Sequence, residues 1–139
     1  MFIEGYLSAQ EALAGDAPDQ AAAIAPLLEA GAQAVDWPAA PEGLGSGPAE
    51  LGEMVAQFSA AGGDVEAQRV AFEPLSMFAI AALEAAGTPG GLTLERVHCP
   101  MAFDFEGADW VQRPGVVNNP YFGAEMLTCG TATGIFGGR

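Results

Sequence analysis

The stretch DVEAQRVAFEPLSMFAIAALEAAG, residues 64–87, reads as one long amphipathic helix. Asp64 is a capping side chain at its start, Val65, Phe72, Leu75, Ala79 and Leu83 recur on one face, and Gly87 ends it. Pro74 interrupts the pattern: it removes one backbone hydrogen bond, so a kink is expected between Ala71 and Leu75. Upstream, Leu51, Met54, Val55 and Phe58 form an i, i+3, i+4, i+7 stripe that opens at Pro48 and Glu50 and stops at Gly62-Gly63. Phe2, Tyr6, Ala9 and Leu13 mark a first helix over 2–14, closed by Gly15-Asp16. Pro18 and Asp19 then start a second, whose face is Ile24, Leu27, Leu28, Gly31 and Val35 and which runs to about residue 34. The proline- and glycine-dense run at 37–47 reads as a connector between two helical hairpins. Four helices joined in this way predict an antiparallel bundle over 2–88.

Downstream of Pro89-Gly90-Gly91 the pattern changes. Leu92, Leu94 and Val97 interleave with Thr93, Glu95 and Arg96, as in a short strand, and residues 131–136 suit a partner strand. Between them, 104–123 shows no clear period, yet Phe103, Phe105, Trp110, Tyr121 and Phe122 offer large apolar area and argue for an ordered loop. The expectation is therefore a mainly α chain. It is a single domain over 1–139, an antiparallel four-helix bundle with a kinked fourth helix, plus a C-terminal two-stranded β ribbon and a long ordered loop.

The charge balance narrows the function. Eighteen acidic residues stand against four arginines and no lysine, a formal net charge of -14 in 139 residues. Such a surface repels phosphate backbones and anionic headgroups, which argues against nucleic-acid binding, and it suits solubility in salty surroundings. No run approaches the roughly 18 to 20 apolar residues of a membrane helix, so direct membrane insertion is not expected. Met1-Phe2-Ile3-Glu4 enters helical pattern at once, and the expectation is a mature or excised domain.

Both cysteines, the only histidine and two of the five methionines fall in two short segments, His98-Cys99-Pro100-Met101 and Met126-Leu127-Thr128-Cys129-Gly130. Thiolate and thioether select monovalent copper, while imidazole widens the range towards zinc and divalent copper. Cys99, Met101, Met126 and Cys129 form a candidate four-sulfur pocket, with His98 as an optional or gating ligand. A Cys99–Cys129 disulfide and a pair of buried unpaired thiols remain open beside it, and the bland reading of the methionines is core filling, the role assigned to Met54 and Met77. Catalysis has little support. The sole histidine adjoins Cys99 in sequence, there is no Cys-x-x-Cys pair, and Gly43-Leu44-Gly45-Ser46-Gly47 does not follow a strand. Asp104 with Glu106 and Glu66 with Glu73 read as solvated charges. The chain is not expected to be an enzyme.

In order, His98-Cys99-Pro100-Met101-Ala102-Phe103, Gly107-Ala108-Asp109-Trp110, Asn119-Pro120-Tyr121-Phe122-Gly123 and Met126-Leu127-Thr128-Cys129-Gly130 resemble the motifs of a bacterial domain family of undefined biochemical function. The helical part adds segments similar to that family at 64–69 and 72–76, so the resemblance covers essentially residues 2–131. The family is found alone or at the C-terminal end of CusB-like periplasmic adaptor subunits of copper and silver efflux pumps of the resistance-nodulation-division type. The resemblance implies a periplasmic or otherwise exported location, a role in copper or heavy-metal handling, and adaptor or pump components as partners. The reading is a Cu(I)-binding accessory domain. The alternative is a metal-free interaction module, locked by a Cys99–Cys129 bridge, that docks on an efflux or envelope partner.

Overall fold

The computed structural model describes residues 2–34 and 48–137; the connector read at 37–47, and Val35, lie outside them. Four helices come first: α1 (Phe2–Ala14), α2 (Pro18–Gln33), α3 (Pro48–Ala60) and α4 (Val65–Ala86). Three strands follow, β1 (Leu94–Cys99), β2 (Ala108–Gln112) and β3 (Thr131–Phe136), with a single-turn α5 (Ala102–Phe105) between the first two. No helix among the described residues is long and apolar enough to cross a membrane.

The helix faces expected from spacing are the buried ones in α1, α3 and α4, whereas in α2 Leu28 and Gly31 are buried but Leu27 is 45% exposed. Phe2, Tyr6, Ala9 and Leu13 of α1, Leu51, Val55 and Phe58 of α3, and Phe72, Leu75, Ala79 and Leu83 of α4 share one core. Tyr6 stacks on Phe72 at 4.7 Å between ring centroids, and Phe2 meets Phe78 edge-on at 5.3 Å. The Asp64 carboxylate accepts from the N–H groups of Glu66 and Ala67 at 3.1 and 3.3 Å, which satisfies two of the donors that open α4. Pro74 does not divide this helix, which runs unbroken from Val65 to Ala86. The bond lost is the one to the carbonyl of Val70, a residue exposed to water.

The expected class is corrected by the C-terminal third. The chain is mixed α/β, with a three-stranded antiparallel sheet in the order β2-β1-β3 in place of a two-stranded ribbon. The additional strand, β2, comes from the stretch read as an aperiodic loop. It pairs with the whole lower part of β1, from Glu95 opposite Gln112 to Cys99 opposite Ala108. Trp110, Val111 and Gln112 are buried consecutively, because the strand is covered on both faces and the in-out alternation that betrays a strand is absent. Nor does the sheet hang from a closed bundle. β2 packs on α4 and touches α1, so helices and sheet enclose a common core.

The outer edge of β2 is closed by hydroxyls. Val111 N–H donates to Tyr6 Oη at 3.0 Å, and Tyr121 O–H donates to the Asp109 carbonyl at 2.7 Å. Ser76 Oγ of α4 joins the two tyrosines at 2.7 and 3.0 Å. With one proton per hydroxyl, the three groups make one chain of bonds from the strand's donor to its acceptor. An edge that would otherwise invite another strand is thereby satisfied internally.

Candidate functional site

Cys99 ends the central strand and is completely buried, opposite Ala108 of β2. Cys129 approaches from the other direction, in the turn that precedes β3. Its N–H donates to the Met126 carbonyl at 3.0 Å, and its own carbonyl accepts from Asn119 Nδ2 at 2.8 Å. Asn119 Oδ1 in turn takes the N–H groups of Tyr121 and Phe122 at 2.8 and 3.2 Å, so a single side chain folds the Asn-Pro-Tyr-Phe-Gly turn and clips the second cysteine to it. Gly130 then passes close over the sheet at φ +154°: a Cβ there would stand 2.8 Å from Val97 Cγ1 and 2.9 Å from Trp110 Cη2. Only glycine lets the backbone come this near.

The two segments meet at their sulfurs. Cys99 and Cys129 are free thiols within hydrogen-bonding reach of each other. Burial pushes the half-buried Cys129 thiol above its ordinary range, the bond and charge of Cys99 push the same way, and the Met101 N–H facing its sulfur pulls back more weakly. Cys129 is therefore protonated at neutral pH, and an ion entering here must displace that proton.

The other three expected ligands are placed differently. Met101 is 37% exposed and meets Cys129 through its backbone N–H. Met126 is half-buried and closes the Cys129 turn with its carbonyl. His98, next to Cys99 on a strand, projects to the opposite face. Its Nδ1–H donates to Asp109 Oδ1 at 2.5 Å, and Arg96 holds Asp109 Oδ2 from Nε and Nη2 at 2.8 and 2.7 Å while reaching Glu84 at 2.9 Å. That carboxylate orients the ring, whose Cε1–Nε2 edge lies beside Gly107. Among the described residues no three His, Cys, Asp or Glu side chains are gathered to hold a metal. Two adjoining soft sulfurs fit a monovalent d10 ion and fall short of the four ligands of a structural zinc site.

The reading from sequence missed what positions this pair. Arg69, buried on α4, donates from Nε to the Pro120 carbonyl at 2.9 Å and from Nη2 to the Leu13 carbonyl at 3.0 Å and Asp16 Oδ1 at 2.8 Å. Asp16 Oδ2 also accepts from Ala124 N–H at 2.8 Å; that bond and Arg69 hold its carboxyl below the usual range. One ion pair thus ties the α1–α2 turn, α4 and the loop that delivers Cys129. Its signal was present: Arg69 recurs with Val65 and Phe72 on the apolar face of the helix, where a cation needs partners. Asp109 had no comparable signal, since its role depends on the strand pairing that sets it opposite His98.

Comparisons with family models, curated proteins and solved structures give no match to this chain.

Proposed function

We propose that the chain is an exported accessory domain that takes a soft monovalent ion, Cu(I), between the thiolates of Cys99 and Cys129, in the service of copper or heavy-metal efflux. The observation that carries the reading is the meeting of the only two cysteines, from opposite ends of the segment that holds α5 and β2, at one end of the sheet. A thiolate pair in a water-poor setting suits a polarisable d10 ion, and Met101 and Met126, on the same two segments, are the thioethers such an ion recruits for a third or fourth sulfur. His98 has no part in coordination; its imidazole is committed to Asp109 on the opposite face. The link to efflux components, adaptor or pump, and the exported location rest on the motif resemblance.

Anaerobic copper titration of the fully reduced chain tests it. One Cu(I) per chain is expected to bind, Cys99→Ser is expected to abolish tight uptake, and His98→Ala to leave stoichiometry and affinity unchanged. Reduced protein that takes up no copper would reject the reading.

A further inference from the structure

Cys99 and Cys129 share a position but not an access. Cys99 has no exposed surface, covered within the common core, whereas Cys129 is half-buried, with exposed Thr128 before it and exposed Thr131 shortly after. Cys129 is held at its backbone by the bonds to Met126 and Asn119, and its sulfur faces the Met101 N–H. A reagent from solution meets one sulfur first and finds the other directly behind it.

We propose that the pair is a thiol–disulfide exchange site for small-molecule disulfides, with Cys129 as the sulfur that is modified and Cys99 as the sulfur that resolves. In the first step the Cys129 thiolate, having given up its proton, attacks one sulfur of the small disulfide. The S–S bond of the reagent breaks, and the departing thiolate takes up the proton. In the second step Cys99 gives up its proton and attacks Cys129 Sγ; the mixed disulfide breaks, and the second small thiol leaves with that proton. Two protein thiols become one Cys99–Cys129 bridge, and one external disulfide becomes two thiols, so the two electrons balance without a metal or any other oxidant. The contact between the sulfurs means that the second step needs no long search, so the mixed disulfide is short-lived. The exchange stands apart from copper binding. Where the copper reading holds, the bridge withdraws both ligands, and the oxidised chain takes no Cu(I).

Oxidised glutathione with the reduced full chain, followed by intact-mass measurement and thiol counting, is the test. The wild-type chain is expected to end as an internal disulfide with no retained glutathione, Cys99→Ser to hold one glutathione on Cys129, and Cys129→Ser to react at least about tenfold more slowly, its remaining sulfur being buried. Because either variant could be misfolded, peptide mapping of the wild-type chain quenched early is decisive by itself: the transient adduct is expected on Cys129. An adduct on Cys99, or a wild-type chain that keeps its glutathione, would overturn the assignment. Copper uptake by the reduced chain is read separately, so failure of exchange with uptake intact removes only this inference, and failure of uptake with exchange intact removes only the metal reading.

Discussion

At the scale of single residues, Cys129 is where opposing influences meet. Its thiol is raised by burial and by Cys99, so the protonated form is the resting one, and under the proposed function copper would compete with a proton. Below the folded pKa, apparent Cu(I) affinity should therefore rise by at least about tenfold per pH unit, from the single proton Cys129 releases. Competition with a colorimetric copper chelator across neutral pH measures this, and a flat profile would count against Cys129 as a ligand. The adjoining Gly130 supplies an independent check on the geometry. Gly130→Ala would place a methyl against Val97 and Trp110 at a backbone angle unsuited to alanine, at an expected cost of about 2–3 kcal/mol in urea unfolding. Neutral behaviour would mean that the turn does not pass so close to the sheet. The candidate sulfur residues were legible because they cluster in the sequence; the division of labour among them was not. Neither the turning of His98 towards Asp109 nor the use of Met101 through its backbone has a signature in spacing.

Individual elements differed in how openly they announced themselves. The four helices carry their own evidence: an apolar stripe at helical period, a glycine or proline at the ends, and in α4 a capping aspartate. β2 carries none, because Trp110, Val111 and Gln112 are buried in succession and leave no in-out alternation to read. The α5 turn is stranger still. Phe103, Asp104 and Phe105 hold positive φ of 53°, 54° and 68° in succession, and Phe105, expected to be buried, is 74% exposed. L residues avoid this region, and nothing in the composition of the turn foretells it. Glu73 of α4, read as a solvated charge, is half-buried; burial raises its pKa first, and Asp109 and Glu106 add to the shift. A raised folded pKa means that the fold disfavours the ionised form, a handicap present above that pKa and relieved as pH falls through it. Glu73→Gln is thus expected to raise the midpoint of thermal unfolding at neutral pH, with the gain disappearing in acid, as scanning calorimetry at two pH values would register. A loss of stability at neutral pH would show that the carboxylate has a favourable partner.

Over the whole molecule negative charge far outweighs positive, 18 acidic residues against four arginines. With a net charge of -14, self-repulsion opposes the compact state and salt screens it. Raising sodium chloride from about 0.01 to about 1 M, where the Debye length falls from about 30 to about 3 Å, is expected to lift the unfolding midpoint by several degrees, and a midpoint that falls instead would mean that the ion pairs of Arg69 and Arg96 outweigh the repulsion.

Composition, periodicity and end signals by themselves determined the helices, the acidic surface and the two sulfur-bearing segments, because each is written in neighbouring residues. The third strand, the Arg69–Asp16 tie, the tyrosine–serine closure of the sheet edge and the meeting of the two thiols were decided only by tertiary structure. Each joins residues far apart in the chain, and their pairing gains its energy only once the core has brought them within bonding distance.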